Sequence, residues 1–278
     1  MAVKWLKVPI RVYYNNRGMQ RTEAEIMKKE LEKLIIDYVA AYPENKKTQT
    51  RWKRPIFGTA DATHPQLLTL KKSVRQSHAL PLDILGSAQS IIAYFLPFDE
   101  SVAKSNRESY YASKEWASAY IETNTLIGAL NAYIIEVLES KGYEAKAIPA
   151  THNFDEVTLM SDWSHRHLAA FAGIGKFGLN NMLITESGCA GRIGTIVSSV
   201  PLEPSPISAQ ENCLYYRDGS CGICIKKCPK EAFNEGYDRF KCYEILLEND
   251  SYHKDLGLVD VCGKCCVALP CTYKNPCK

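Results

Sequence analysis

Ten of the chain's eleven cysteines fall between Cys213 and Cys277, and the remaining one is Cys189. No other feature constrains the fold as strongly, because thiols at short spacings must be bridged, metal-bound or buried. A disulfide framework needs an oxidising compartment. Nothing in the first residues points to export: Lys4, Lys7 and Arg11 interrupt the apolar run that a signal peptide would need. The longest apolar stretch, Ile91 to Phe98, is far short of the roughly 18 residues of a membrane span. The expectation is a cytoplasmic protein without membrane contact, whose clustered cysteines are metal ligands.

The spacings narrow the metal. Cys221-Gly-Ile-Cys224-Ile-Lys-Lys-Cys228-Pro229 is the C-x2-C-x3-C-P tail of a bacterial ferredoxin run. The first cysteine of that run would fall at Asp218, which supplies no thiolate, so Cys213 is the natural substitute. A second group follows with Cys242, Cys262, Cys265, Cys266 and Cys271. In two-cluster proteins the last cysteine of the run serves the other cluster. That rule assigns Cys213, Cys221, Cys224 and Cys271 to one [4Fe–4S] cluster. It assigns Cys228, Cys242, Cys262 and Cys265 to another. Cys189, Cys266 and Cys277 are left over. Zinc held by the two C-x2-C pairs is the alternative. Two cubes held this way would lie on the order of 10–12 Å apart and act as a relay. A relay needs a terminal acceptor in the chain or a docking partner. Lys226, Lys227 and Lys230 surround the first run and suit an acidic electron donor of ferredoxin or flavodoxin type.

The first 205 residues alternate helix and strand signals, so the fold class is α/β (α+β). Thr22-Glu23-Ala24-Glu25 is a capping box, and a helix with a buried stripe from Ile26 to Tyr42 should stop before Pro43. Residues 43–70 read as a long loop. Ser90 to Pro97 reads as a buried strand, roughly 112–141 as a long helix closed by Gly142, and Ala145 to Ile148 as a short strand. Ser164 to Ala172 suits a helix, and Leu183–Thr185 and Thr195–Val200 suit strands. Pro201, Pro204 and Pro206 mark a boundary, giving domains 1–205 and 206–278. A net charge of +3, spread along the chain, gives no argument for nucleic acid.

Gly173, Gly175 and Gly178 match G-x-G-x-x-G by letter. A dinucleotide site needs a strand before that motif and a helix after it, whereas here a helix precedes it and a loop follows. Two readings remain: tight turns with close backbone packing, or a loop lying flat against a planar cofactor. His165 and His167 stand two apart, so they do not share a helix face, although one could line a cofactor pocket. Tyr110 could supply a phenolic proton to a reduced substrate.

The order Ser164-His165-Arg166-His167, then Gly173 to Asn181, then Gly191-Arg192-Ile193-Gly194, then the cysteine runs, resembles the epoxyqueuosine reductase family. It is also similar to the C-terminal half of corrinoid reductive dehalogenases. The resemblance spans roughly residues 80–271. It implies a nitroreductase-like core that holds cobalamin, followed by a small ferredoxin-like domain with two [4Fe–4S] clusters that feed it electrons. Flavin is the other cofactor such a core accepts. On this reading His165, His167, Gly173, Gly175, Gly178, Asn180, Asn181 and Arg192 are the cofactor-binding candidates. Two departures stand out. The family's acidic proton donor falls at Leu159, leaving Asp162 and Asp155 nearby but not equivalent; Asp162 and Tyr110 are therefore the catalytic candidates. The family's helical-repeat domain, which helps grip tRNA, has no counterpart before Lys278, so tRNA is not the expected partner. The expected activity is a reductase acting on a small molecule or a corrinoid. The alternatives are an electron carrier or activator of a partner's corrinoid, and a flavin-dependent iron–sulfur reductase.

Overall fold

A computed structural model describes residues 21–149 and 154–278. The N-terminal lysines and the Thr22 cap considered above lie outside the described side chains. The helices are α1 (Arg21–Lys46), the single turns α2 (Leu70–Ser73) and α3 (Pro81–Ile84), then α4 (Glu100–Ser105), α5 (Lys114–Ser140), α6 (His165–Phe171), α7 (Leu214–Asp218), α8 (Ile223–Lys226) and α9 (Arg239–Tyr252). Among the described residues no helix is long and apolar enough to cross a membrane.

The centre is a four-stranded antiparallel sheet. Its strands are β1 (Ile56–Asp61), β2 (Ser90–Pro97), β3 (Ala145–Ala147) and β8 (Gly191–Ser198), in the order β1-β2-β8-β3. Side chains alternate across a pleated strand, and β2 is buried along its whole length, so both its faces must be covered. Ile92, Tyr94 and Leu96 meet Leu31, Ile35 and Val39 of α1 and Leu126, Leu130 and Ile134 of α5. Ile91, Ala93 and Phe95 face Leu168, Ala169 and Ala172 around α6. Two small hairpins complete the strands: β4 (Phe154–Asp155) with β5 (Met160–Ser161), and β6 (Gly175–Phe177) with β7 (Leu183–Thr185).

Several expectations need correction. Helix α1 continues through Pro43 to Lys46, because a proline lacking one N–H bond is tolerated in a last turn anchored by burial. Ile26 is 56% exposed and lies off the buried stripe. The supposed loop 43–70 contains β1, an edge strand whose Gly58 and Asp61 disguise it as loop. Strand β7 pairs with β6 inside the glycine segment, while β8 begins at Gly191 and joins the main sheet.

Residues after 205 pack on the core through a third apolar cluster. It joins Phe98, Val102 and Trp116 to Cys189, Cys213, Cys266 and Val267. Backbone bonds reinforce the seam: Cys189 N donates to Cys271 O at 2.9 Å, and Ala190 N to Thr272 O at 3.2 Å.

Candidate metal centre

Cys213 occupies the N-cap of α7, and the left-handed Gly219 ends that helix after one turn. The chain then returns through Cys221 to Cys224 in α8. These three thiols and Cys271 wall one small cavity, partly open to solvent, with about 20 Å³ of room for a water-sized sphere. Leu179, Asn180 and Ile184 of the core supply its far side. Burial pushes the Cys224 thiol up to about 12, with Cys265, Cys213 and Cys221 adding to the rise. A metal removes such protons on binding, because the thiolate is the ligand. Asp218 is not on this wall. It is exposed, accepts from Ser220 and pairs with Arg217 at 2.9 Å, which together hold its carboxyl down to about 2.

The second group forms where α9 brings Cys242 toward the loop carrying Cys262 and Cys265. Burial raises Cys242, with Cys265 and Cys228 adding to the effect. Burial pushes Cys262 up to about 12, again with Cys265 and Cys242 beside it. Cys265 is the common neighbour: its charge acts on Cys242 and Cys262, and Cys228 acts on it in turn. Four thiolates on a single zinc would sit about 3.8 Å apart at Zn–S bonds of about 2.3 Å. Among the described residues no three His, Cys, Asp or Glu side chains converge on one ion in that way. Of the leftover thiols, Cys189 and Cys266 are buried between the two groups. Cys189 Sγ lies 4.0 Å from Cys271 Sγ, and Cys266 Sγ 4.0 Å from Cys265 Sγ. Cys277 is half-buried near Arg217 and Cys213.

The core reaches into both groups with amides. Asn180 Nδ2 donates to Cys265 O at 2.6 Å, and Asn106 Nδ2 to Cys262 O at 2.8 Å. Asn180 thus lies at the cavity wall and fixes a cysteine backbone. Asn181 is left-handed at φ 57, and its carbonyl accepts from Arg166 at 2.6 Å. The Arg166 charge in turn faces Cys242 and Tyr237.

At each of the three glycines the place a Cβ would take is occupied by the chain itself. A Cβ on Gly173, which has φ +72, would lie 2.5 Å from Pro206 O; one on Gly175 would lie 2.5 Å from Ile184 O; one on Gly178 would meet Asn180 Oδ1 at 2.8 Å. Close packing against the Pro206 backbone, the β7 backbone and the Asn180 and Ile184 side chains accounts for glycine at these three positions.

His165 and His167 point to different partners. His165 Nε2 bonds Pro149 O at 3.0 Å and Nδ1 meets Thr195 Oγ1 at 2.8 Å. His167 Nδ1 meets Ser164 Oγ at 2.7 Å, and its ring packs on Phe177. Burial lowers both to about 4, helped by Arg192 at His165 and by Arg166 at His167. The unfolded chain binds protons on these histidines below about pH 6.5, and the folded one only near pH 4. Stability is therefore expected to fall as pH drops through that window, by on the order of 2 kcal/mol per histidine. Urea unfolding between pH 7 and 4 should show this. His165→Asn should flatten the slope, and an unchanged slope would place the acid sensitivity elsewhere.

Arg192 reaches the same seam from β8. Its guanidinium lies 4.6 Å from the centre of the Tyr120 ring, and its buried Nε has no partner among the described residues. The Tyr120 hydroxyl donates to Asp260, and burial raises its pKa. The two catalytic candidates are not brought together. Asp162 accepts from Ser77 at 2.6 Å and pairs with Arg75 at 3.3 Å, pinning a surface turn. Tyr110 is exposed and donates to Glu248 at 3.1 Å. Lys230 is committed to Glu248 and Glu244, leaving exposed Lys226 as the free charge of the three most open to a partner.

Sequence reasoning passed over Asn106, Tyr120 and Lys264. The only signal was Lys264 lying inside a C-x2-C pair; Asn106 and Tyr120 reach the seam through tertiary packing alone.

Fold and site together define an α+β protein whose C-terminal residues pack on the central sheet and carry most of its cysteines. Solved structures of epoxyqueuosine reductases have a similar fold. The enzyme from Bacillus subtilis, with its catalytic loop swung out of the active site, matches at 19% identity and a TM-score of 0.55, over 91% of this chain and 67% of its own. An epoxyqueuosine reductase bound to an epoxyqueuosine-modified tRNA-Tyr stem loop matches at 19% identity and a TM-score of 0.54, over 90% and 66%. The Streptococcus thermophilus enzyme matches at 15% identity and a TM-score of 0.52, over 92% and 67%. The chain thus has an epoxyqueuosine-reductase-like fold and spans about two thirds of the length of these proteins. No family model matches the chain, and no curated protein matches it by sequence.

Proposed function

We propose that the chain is an iron–sulfur oxidoreductase in which two [4Fe–4S] clusters relay electrons from a small donor protein to a cofactor in the core. The observation that carries this is the cavity walled by Cys213, Cys221, Cys224 and Cys271; Cys228, Cys242 and Cys262, all neighbours of Cys265, are the ligands proposed with it for the second cluster. When bound, such clusters supply one-electron chemistry, and the chain's share is to hold and orient them. Thiolates would ligate the iron, Asn180 and Asn106 fix two ligand loops, and Cys189 and Cys266 keep water from the space between. In this division residues 1–205 form a nitroreductase-like core and 206–278 a ferredoxin-like module. Eleven free thiols suit a reducing compartment, and we place the protein in the cytoplasm.

The core acceptor we propose is cobalamin, seated against the seam of His165, Arg166, Asn181 and Arg192. The unpartnered Arg192 Nε is the polar atom here that a corrinoid amide or phosphate could satisfy. The substrate is then a small molecule or a corrinoid. A tRNA stem loop, bound by one of the structural relatives, is the competitor that a binding titration excludes or admits. The test is the visible spectrum of anaerobically purified protein before and after addition of cobalamin. A broad band in the violet with a corrinoid spectrum retained through gel filtration supports the reading. Flavin retained in place of cobalamin would replace the acceptor.

Ligand identity is tested separately. Cys213→Ser is expected to abolish the paramagnetic signal of the intact first cluster, whereas Asp218→Ala should leave it in place. Electron paramagnetic resonance reads the difference, and damage by Asp218→Ala instead would mean an oxygen ligand.

A further inference from the structure

Lys264 lies between Cys262 and Cys265 and is buried, with 5% of its surface exposed. Long amines rarely lie this deep without an acidic partner. Lys264 Nζ donates to Asn106 O at 2.9 Å and to Asn106 Oδ1 at 3.1 Å, and among the described residues it forms no ion pair with a carboxylate. Asn106 is itself fully buried. Its remaining bonds go to Cys262 O, through Nδ2, and from Ser113 N, to Oδ1. One core residue therefore clamps the lysine, the loop of a cysteine ligand and the first turn of α5. The other charges facing the ammonium are the Cys262 thiol, Lys227 and Glu108. Glu108 is exposed, so solvent screens it, and Lys227 carries like charge.

A buried cation costs several kcal/mol unless an anion lies close to it. Two neutral oxygens supply hydrogen bonds but no opposite charge. The anion that completes the arrangement is a thiolate-ligated cluster at Cys228, Cys242, Cys262 and Cys265. Such a cluster is negative, and it gains one further negative charge when a donor reduces it by one electron. A fixed cation beside it stabilises the reduced form more than the oxidised form, because the Coulomb term scales with the cluster charge. Net charge and local hydrogen bonding are what set the potentials of these centres.

We propose that the ammonium of Lys264, held in place by Asn106, raises the reduction potential of the second cluster. The proposal rests on the two-cluster reading above. It makes the clusters unequal: among the described residues no lysine lines the first cavity, so the second cluster is the site where an electron settles on its way to the Arg166 seam. Lys264 is a positioning and tuning residue; it is not a ligand.

The experiment is a potentiometric titration of the reconstituted full chain with dithionite, followed by paramagnetic resonance, for wild type, Lys264→Met and Lys264→Arg. Iron and sulfide are counted first in the wild type. Absence of clusters there defeats the two-cluster reading and is distinguishable from failure of this one. With clusters present, Lys264→Met should move one midpoint to a more negative potential and leave the other in place. Lys264→Arg should keep both near their wild-type values. If methionine prevents the second cluster from assembling, Lys264→Gln, which retains a donor for Asn106, carries the same measurement. Loss of the second cluster alone in both neutral variants, with its retention in Lys264→Arg, also supports a required charge. Unchanged midpoints in the neutral variants, or equal shifts in Lys264→Arg and Lys264→Met, would overturn the proposal.

Discussion

Anaerobic reconstitution is expected to load about eight iron and eight sulfide per chain, and serine at Cys224 or at Cys265 to remove about half of each. The two positions are chosen because each belongs to a different group of thiols. Cys224 stands in the cavity wall with Cys213, Cys221 and Cys271, while Cys265 faces Cys228 and the buried Cys266. A serine hydroxyl has nearly the shape of a thiol but is a poor ligand for iron. The apoprotein packing should therefore change little, and the loss should read out ligation. Because metal binding in such loops is coupled to their folding, the half-loaded variants should also unfold at lower denaturant concentration than wild type. Elemental analysis decides the matter. Zinc recovered in place of iron, without absorption in the violet, would refute both clusters at once.

The cysteine groups could be read from the sequence because ligand spacing is local chemistry. Cys221, Cys224 and Cys228 need only a short loop between them, and the loop is written in the chain. The buried strand β2 and the long helix α5 were legible for a similar reason, since Ile91 to Leu96 and the stripe from Trp116 to Leu138 carry their own periodicity. Strand β1 was not, because an edge strand gains its burial from a neighbour 29 to 39 residues away, and its own Gly58 and Asp61 carry no strand signal. The glycine segment misleads for a related reason. Gly173, Gly175 and Gly178 share the letters of a nucleotide loop, but the atoms that require them are Pro206 O, Ile184 O and the Asn180 side chain. No local pattern announces those neighbours. Asn106 is the extreme case: its bonds to Lys264 cross 158 positions, so nothing near either residue marks the pair.

Gly263→Ala is expected to abolish the second cluster, while Gly219→Ala leaves both intact. The two glycines share a left-handed backbone, with φ +73 and φ +76, and each lies close to a cysteine ligand. Alanine at either pays about 1–2 kcal/mol for that conformation. Their surroundings differ. A Cβ on Gly219 meets nothing within 4 Å, whereas one on Gly263 would lie 2.2 Å from the Trp116 ring. Trp116 cannot yield, because it is 5% exposed in the first turn of α5 and packs edge-on against Phe98 at 5.2 Å between ring centres. The clash must then displace the loop itself, which carries Cys262 on one side of Gly263 and Lys264 and Cys265 on the other. Overpacking of this kind typically adds about 1–3 kcal/mol to the conformational penalty. More telling than the total is where the strain goes, since a shift of the loop pulls two thiols away from Cys228 and Cys242. Iron analysis should therefore give about half the wild-type content for Gly263→Ala and full content for Gly219→Ala. Full loading of both variants would mean that the loop moves freely past Trp116, and that the indole does not hold it in place.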